Sequence, residues 1–455
     1  MEEITSSKSK KIKFFRDPIH DIIRIDNDFI LKLIDTPAMQ RLRKIRQLGL
    51  AWLVYPGAEH SRFCHSLGTY HLAKRVINHL NNTIRTDLID KEQKTLIQIA
   101  ALLHDVGHGP FSHVFENFCK NDLAISHNHE KWTKKIIRED KEIFSVLTEI
   151  DKNLPEKLIE VFDKTVFPNY LGDIISSQLD VDRFDYLLRD SYMTGAKYGS
   201  FDLEWIIRTL SIDKVKNIVE VEEENGIIPM EVETVVIDGS RGLSTLEQYI
   251  IGRHYMFKHV YFHKTIRAAE ALLRMILKRA AFLIKNNEED LGDSIFKKLI
   301  NNEELTVKDY LTLNDFKIIS WIEDWAVKSK DEYLKDLSSR FIHRRLFKCY
   351  LVKESSKGYA NLRDRVKGFL KEKYEFYFVE DEPRDIAYKD YFYQQQKEEN
   401  PQEIWYLDES GRTRQLTSYD GLVMKAKDAL SYDTVFWHGP ENLIKYLKEV
   451  ENGQA

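Results

Sequence analysis

Apolar residues recur at helical spacing through the first two thirds of the chain. Between Asp26 and Leu50 this spacing predicts two helices separated by Asp35-Thr36-Pro37, because proline suits the first turn of a helix and Asp35 or Thr36 can cap it. The same periodicity predicts further helices over residues 66–81, 91–104, 129–138, 141–150, 171–188, 203–210, 244–285 and 309–328. We therefore predict a mostly α protein.

Two parts of the sequence favour strands. β-branched residues alternate over 218–221 and 232–237, around Glu224-Asn225-Gly226, which predicts a small inserted β-hairpin. After Phe347 the pattern becomes that of a smaller α+β lobe, with strand-like runs at 349–352, 375–379, 404–407 and 434–437 and a charged helical segment at 362–371. The predicted regions are a flexible polar tail at 1–13, a helical core at 14–345, and a C-terminal lobe at 346–455 that supports oligomerisation or regulation.

Composition narrows the class of protein. With 455 residues, 43% of them hydrophobic, the chain can bury a sizeable core. Its apolar runs are too short to cross a membrane and no signal peptide precedes them, so we expect a cytoplasmic protein without a membrane partner. Three cysteines without paired spacing argue against a disulfide framework, and a net charge of -5 disfavours a nucleic-acid partner.

The candidate chemistry lies in His65, His104-Asp105 and Asp182. Imidazoles and carboxylates without thiolates suit a divalent cation such as manganese, iron, magnesium, zinc or nickel. Adjacent residues cannot share one face of a helix, so His104 and Asp105 could both reach one ion only at a helix end. The pair alone is weak evidence, because a histidine there is more often a cap. Residues 102–113, however, hold three histidines and three helix breakers, which a core helix does not need.

The order of these residues resembles the HD-domain phosphohydrolases, whose signature is a distal His, a His-Asp pair and a later Asp. Within that superfamily the sequence is similar to the deoxynucleoside triphosphate triphosphohydrolases, over about residues 14–267. Vertebrate members add a sterile-alpha-motif domain that this sequence lacks. The motifs that carry the resemblance are Phe15-Arg16-Asp17-Pro18-Ile19-His20, Ile34-Asp35-Thr36-Pro37, Gln40-Arg41-Leu42-Arg43, Gln47-Leu48-Gly49, Ser61-Arg62-Phe63-Cys64-His65-Ser66-Leu67-Gly68 and Leu179-Asp180-Val181-Asp182-Arg183-Phe184-Asp185-Tyr186.

The resemblance implies a metal site and an acid–base group. The implied metal ligands are His65, His104, Asp105 and Asp182. His108 and His129 would orient the nucleophilic water or protonate the leaving 5′ oxygen, roles that need a group titrating near neutral pH. Glu116, implied to hydrogen-bond to His129, stands where the vertebrate enzyme has Asp.

The resemblance also implies a substrate pocket. Phosphate-contacting positions match Arg62, His113, Arg183 and Arg253, and sugar-contacting positions match Gln47, Tyr186 and Asp190; Leu48 belongs to the same pocket. Tyr261 would leave no room for a 2′ hydroxyl and so select deoxyribose. Phe257 replaces a histidine of the vertebrate enzyme, so the preferred base and part of the discrimination against ribose stay open.

A second nucleotide site is implied by Lys13, Asp35, Gln40 and Arg43, which match the family's allosteric site. It would accept an activating nucleotide in a homodimer or homotetramer. From spacing alone, Arg41, Arg43, Lys44 and Arg46 could equally be the solvated face of a helix. We expect His20, His60, His71 and His79 to be structural, because no acidic residue stands at a useful spacing from them.

Metal-dependent hydrolysis of deoxynucleoside triphosphates to deoxynucleoside and inorganic triphosphate is the expected activity. Two alternatives remain open. One is an HD-type phosphodiesterase or nuclease that acts on cyclic or oligomeric nucleotides or on single-stranded DNA. The other is a nucleotide sensor without catalysis, although such a sensor would not need four metal ligands and an acid.

Overall fold

Helices make up most of the computed structural model, which describes residues 12–125, 128–219, 228–352, 359–386, 403–425 and 431–452. The α-helices are α1 Asp28–Asp35, α2 Pro37–Arg41, α3 Arg62–Thr83, α4 Lys91–Leu103, α5 His113–Asp122, α6 His129–Glu139, α7 Lys141–Ile150, α8 Leu154–Phe162, α9 Tyr170–Asp173, α10 Val181–Thr194, α11 Leu203–Thr209, α12 Gly239–Met256, α13 Lys264–Lys285, α14 Ser294–Ile300, α15 Val307–Tyr310, α16 Asp315–Lys328, α17 Glu332–Ile342, α18 Tyr359–Leu370, α19 Tyr374–Tyr377, α20 Leu422–Lys425 and α21 Glu441–Glu451. Short 3-10 turns span Leu42–Lys44, Ala51–Leu53, Lys371–Lys373 and Leu416–Ser418, and a π-helical turn spans Phe257–Tyr261. The predicted mostly α fold is confirmed.

The strands form small sheets. They are β1 Lys13–Asp17, β2 Asp21–Ile25, β3 Leu210–Val219, β4 Ile228–Asp238, β5 Lys348–Val352, β6 Val379–Asp381, β7 Arg384–Ile386, β8 Trp405–Leu407, β9 Thr413–Gln415, β10 Ser431–Asp433 and β11 Val435–Gly439. β1 and β2 pair as an antiparallel hairpin, and β3 and β4 as a second one. β8 runs parallel to β4 and pairs with β9. In the C-terminal region β11 lies between β5 and β6, and β10 pairs with β7.

The inserted hairpin is longer than the β-branched alternation predicts. Its ladder runs from the pair Leu210–Ile237 to the pair Val219–Ile228, while the predicted tip Glu224-Asn225-Gly226 lies outside the described residues. Because β8 adds to this hairpin, the sheet joins the helical core to the C-terminal lobe. The buried apolar cluster is also continuous from the core into that lobe.

The structure confirms only some of the predictions for the start of the chain. Thr36 caps α2, its hydroxyl accepting from the Met39 N–H, and Pro37 is the first helical residue, as the sequence predicts. The prediction of helix up to Leu50 is wrong, because α2 ends at Arg41. After one 3-10 turn, Arg46 forms a β-bridge with Ser61 instead. Of the predicted tail at residues 1–13, residues 1–11 lie outside the described residues, and β1 already begins at Lys13.

Three long predicted helices are each divided by a new capping residue. Over 171–188, Asp180 accepts from the Arg183 N–H and starts α10 afresh. Over 244–285, the π-helical turn intervenes and the His263 side chain caps α13. Over 309–328, Asn314 accepts from the Lys317 N–H and starts α16. In each case a side chain satisfies helix N–H groups at a point where the apolar spacing continues without a visible break.

One predicted strand is largely helical. Residues 375–379 were expected as a strand, but α19 occupies most of them and β6 begins only at Val379. The rings of Phe376 and Phe282, from α19 and α13, meet edge to face with centroids 5.9 Å apart. Packing against α13 therefore outweighs the strand preference of these aromatic residues.

Three packed helices position the site. α3 contacts both α4 and α10, and the β1–β2 hairpin lies against α3 through β2. Within the described ranges, no helix combines the length and apolar character needed to cross a membrane.

Candidate active site

Three helix ends carry the predicted metal ligands. His65 lies in the first turn of α3, His104 follows the last residue of α4 with Asp105 next to it, and Asp182 lies in the first turn of α10. Because α3 packs between α4 and α10, these ends converge.

The ligand atoms lie within a few ångströms of one another. His65 Nε2 is 3.2 Å from His104 Nε2 and 3.0 Å from Asp182 Oδ1. His104 Nε2 is 3.7 Å from Asp182 Oδ1 and 3.3 Å from Asp105 Oδ1. Ligands about 2.0–2.2 Å from one cation stand about 3 Å from each other, so this donor set fits a shared divalent ion.

The charges of the cluster also suit a cation. Burial would lower the pKa of His65, but hydrogen bonds to Asp182 and Asp185 raise it to about 10. Burial would raise the pKa of Asp182, but His104 and His65 hold it below its usual range. The Asp182 carboxylate is therefore anionic and attracts positive charge. A divalent ion would supply that charge in place of the imidazole protons.

A second cluster stands beside the first. His129 Nδ1 is 2.8 Å from Glu116 Oε1, and the rings of His108 and His129 stack with centroids 3.9 Å apart. His108 Nε2 lies 3.2 Å from Asp105 Oδ1, so Asp105 contacts both clusters. His113 Nδ1 lies 3.4 Å from Glu116 Oε2. The predicted partnership of Glu116 with His129 is present despite the longer side chain.

His108 and His129 differ in electrostatic setting. Burial, together with the charges of Arg62 and His129, holds the pKa of His108 well below its usual range. Burial would raise the pKa of Glu116, but hydrogen bonds from His113 and His129 hold it far below that range. His108 is therefore neutral near pH 7, whereas the Nδ1 atom of His129 faces the anionic carboxylate of Glu116.

A cavity of about 450 Å³ opens over both clusters, a size typical of small-ligand sites. Its wall includes most of the predicted residues, namely Gln47, Leu48, Arg62, His104, Asp105, His108, His113, His129, Asp182, Tyr186, Asp190 and Tyr261. His65 and Glu116 are not in this wall but contact His104 and His129, which are. Gln47 Oε1 and His108 Nδ1 are buried without a hydrogen-bond partner among the described residues. Since unpaired buried polar atoms cost free energy, these two atoms favour a polar ligand.

Two predicted phosphate contacts are not part of the cavity wall. Arg183 pairs with Asp180 and donates to the Ser177 carbonyl oxygen. Arg253 is buried with its guanidinium 5.0 Å from the Phe257 ring centroid. Their phosphate-binding roles therefore stay predictions. Arg62 does line the cavity, where it pairs with Asp105 at 2.5 Å.

The predicted nucleotide-binding residues near the N-terminus form two neighbouring pairs. Lys13 Nζ lies 3.7 Å from Asp35 Oδ1, and Arg43 Nε donates to Gln40 Oε1 at 2.8 Å. The Arg43 guanidinium lies over the Phe63 ring, 3.7 Å from its centroid.

Several partners were not foreseen from the sequence. His20 and His60 each contact a carboxylate at 2.7 Å, on Asp185 and Asp190 respectively. The expectation that they have no acidic partner considered only sequence spacing, and it is wrong. Asp185 stands three residues after Asp182, on nearly the same face of α10, which was the one local signal available. Arg267 and Glu270 also line the cavity, without any motif to indicate them.

Comparisons with known proteins give the class. A family model of the HD domain matches residues 62–190. The chain is 34% identical over 441 residues to the uncharacterized protein YwfO of Bacillus subtilis, covering 96% of this chain and 94% of that protein. It is 32% identical over 249 residues to the deoxynucleoside triphosphate triphosphohydrolase SAMHD1 of Danio rerio, covering 48% of this chain and 39% of that protein. A solved phosphohydrolase from Bacteroides thetaiotaomicron superposes with a TM-score of 0.76 at 25% identity, over 95% of this chain and 100% of that one.

The structure is mostly helical, and histidines and aspartates cluster at its helix ends, where they could hold a metal ion. Together with the match to the HD domain, this defines the class of protein as a metal-binding hydrolase. The chain belongs to the HD-domain family of phosphohydrolases. This confirms the resemblance on which the sequence interpretation depends.

Proposed function

We propose that the protein hydrolyses deoxynucleoside triphosphates to deoxynucleoside and inorganic triphosphate. The observation that carries the proposal is one cavity that joins the His65–His104–Asp182 cluster to the Glu116–His129 pair and to Tyr261. Attack at the α-phosphorus with protonation of the 5′ oxygen requires a cation, an acid and a sugar pocket side by side.

Each residue has a role that follows from its surroundings. His65, His104, Asp105 and Asp182 would hold the divalent ion. When bound, that ion neutralises phosphate charge and makes an attacking water more acidic. Neutral His108 orients the water, and His129, held by anionic Glu116, gives its proton to the leaving 5′ oxygen. Arg62 offers positive charge to the phosphates, and the His113 ring offers a hydrogen bond from the same cavity wall.

Sugar selection is proposed for the part of the wall that holds Tyr186, Asp190 and Tyr261. The Tyr261 hydroxyl donates to Asp190 Oδ2 at 2.9 Å, and the rings of Tyr186 and Tyr261 meet edge to face. Held in this way, Tyr261 would leave no room beside the sugar for a 2′ hydroxyl and so would select deoxyribose.

The N-terminal pairs Lys13–Asp35 and Gln40–Arg43 are proposed as a second nucleotide site, in a homo-oligomer. The match to SAMHD1 of Danio rerio supports this proposal. A mixture of nucleotides that is hydrolysed faster than each nucleotide alone would agree with activation at such a site. Equal rates would count against it.

The test separates the products by chromatography after incubation with each deoxynucleoside triphosphate and manganese or magnesium. Inorganic triphosphate is expected from α-attack, whereas a phosphodiesterase yields monophosphates and a sensor yields no product.

His104→Ala and Asp105→Ala should reduce turnover to background, because each removes a proposed metal ligand. His79→Ala is the control, because this histidine lies on α3 and, among the described residues, its hydrogen bonds go to the Leu210 carbonyl oxygen and the Thr83 hydroxyl. Undiminished triphosphate release by either ligand variant would contradict the metal assignment.

A further inference from the structure

Asp185 is a fully buried carboxylate to which the proposed reaction gives no role. Its Oδ2 lies 2.8 Å from His65 Nδ1, and its Oδ1 lies 2.7 Å from His20 Nε2. Arg189 donates to both oxygens, from Nε at 2.8 Å and from Nη2 at 2.9 Å. Both carboxylate oxygens therefore have partners, and one of these partners is a proposed metal ligand.

The same network reaches the turn between β1 and β2. Arg189 Nη1 and Nη2 donate to the two oxygens of Asp17, at 2.7 Å and 3.2 Å. Asp17 Oδ1 also accepts from the backbone N–H groups of Ile19 and His20, both at 3.0 Å. The Asp17 carboxylate thus holds the turn and also pairs with Arg189, which in turn holds Asp185. Buried hydrogen bonds therefore join the turn to α10.

The glycine at position 68 of α3 indicates that space for this network is required. A Cβ atom at Gly68 would lie 1.8 Å from Asp185 Oδ1 and 2.6 Å from Arg189 Nη2. Glycine inside a helix costs about 0.5–1 kcal/mol relative to alanine. Only a residue without a side chain lets Asp185 and Arg189 approach α3 this closely.

The hydrogen bond at His65 Nδ1 decides which imidazole nitrogen can bind a cation. A neutral imidazole has one N–H and one lone pair. Because the Asp185 carboxylate accepts at Nδ1, a neutral His65 keeps its proton there, and its Nε2 lone pair would be free for a cation on the side of His104 and Asp182. A carboxylate behind a metal-binding histidine fixes its ring and raises its basicity.

We propose that the β1–β2 turn is part of the metal site, with Asp185 as the positioning residue of His65 and with His20, Asp17 and Arg189 holding Asp185. This inference rests on the metal ligands of the proposed function but not on its substrate. Metal affinity therefore depends on a turn that lies outside the matched HD domain at residues 62–190.

Calorimetric titration of the chelator-treated full chain with Mn²⁺ tests the inference without any nucleotide. Asp185→Asn should weaken Mn²⁺ binding by about 10–100-fold, the range found when such supporting groups are removed. His20→Ala should weaken it at least about threefold, while His20→Gln, which keeps an N–H donor, should restore much of the loss. Gly68→Ala should also weaken binding, because its Cβ displaces Asp185.

The matched control is Asp331→Asn. The Asp331 carboxylate accepts from Arg279 and from the Leu334 N–H, as Asp185 accepts from Arg189, but it caps α17 and does not contact His65. This variant should lose stability and keep its Mn²⁺ affinity. If Asp185→Asn does not fold, His20→Ala and His20→Gln decide the question. Folded variants at positions 20 and 185 that bind Mn²⁺ within twofold of wild type would overturn the inference. Failure of wild type to bind Mn²⁺ would overturn the proposed metal site itself.

Discussion

Tyr261 lies between the cavity and a chain of buried hydrogen bonds. Its hydroxyl donates to Asp190, whose other oxygen contacts His60 Nε2 at 2.7 Å. The ring meets Phe257 edge to face, with centroids 4.8 Å apart. Burial and the nearby Asp190 charge raise the pKa of Tyr261 well above its usual value, so the phenol stays neutral and donates. Both ends of the side chain are therefore held in place.

Truncation of this side chain tests its role as a gate. We expect Tyr261→Ala to reduce the preference for deoxyribonucleotides over ribonucleotides at least about tenfold, because shape selection by an apolar wall is worth about 10–200-fold. The measurement is kcat/KM for matched deoxyribonucleotide and ribonucleotide triphosphates. Tyr261→Phe keeps the ring and should retain most of the preference. An unchanged ratio in the alanine variant would exclude the gate.

The first residue of α16 forms hydrogen bonds that join this helix to two distant segments of the chain. Asp315, the first residue of α16, accepts from the backbone N–H groups of Arg46 and Phe111, in the segments that follow α2 and α4. Burial raises the pKa of Asp315 to about 6 although these hydrogen bonds oppose the shift. Asp315 therefore joins the start of α16 to these two segments through a carboxylate whose ionisation is costly because it is buried.

This carboxylate predicts a pH dependence of stability. A folded-state pKa of about 6, above the unfolded value of 3.8, means that the contribution of Asp315 is fully present below about pH 4 and is lost as the pH rises through 6. Asp315→Asn removes this titration. The stability advantage of wild type over the variant should therefore fall by about 1 kcal/mol between pH 5.0 and 7.5. Urea unfolding at both pH values measures it, and a gap that stays constant would contradict the prediction.

The C-terminal lobe is joined to the cavity by charge as well as by apolar packing. Arg267, a cavity residue, donates to both oxygens of Asp381 on β6, at 2.8 Å and 2.5 Å, and to Glu270 at 2.8 Å. His438 on β11 lies 3.4 Å from the same Asp381. The lobe therefore helps to hold one wall of the cavity.

Removal of Asp381 should loosen the lobe. We expect Asp381→Ala to lower the free energy of unfolding by about 1–3 kcal/mol, because charged hydrogen bonds are lost and Arg267 is left partly buried. Limited proteolysis should then cut within residues 346–452 faster than in wild type. Asp122→Ala is the matched control, since Asp122 pairs with Arg274 on the same helix α13 but belongs to the core. Equal cleavage of the lobe in both variants would refute this coupling.

Local spacing was enough for the helical class and for a cap at Asp35 or Thr36, since helix periodicity and capping are read from neighbouring residues. The ligand quartet came from ordered motifs that resemble the HD-domain family, and it stays a prediction. It could not reveal the division of the long helices or the helical form of residues 374–377, because capping and packing partners there outweigh the apolar pattern. It also missed the partners of His20 and His60, which lie 165 and 130 positions away. Contacts of that kind exist only once α3 and α10 pack together, and that packing depends on the whole buried core.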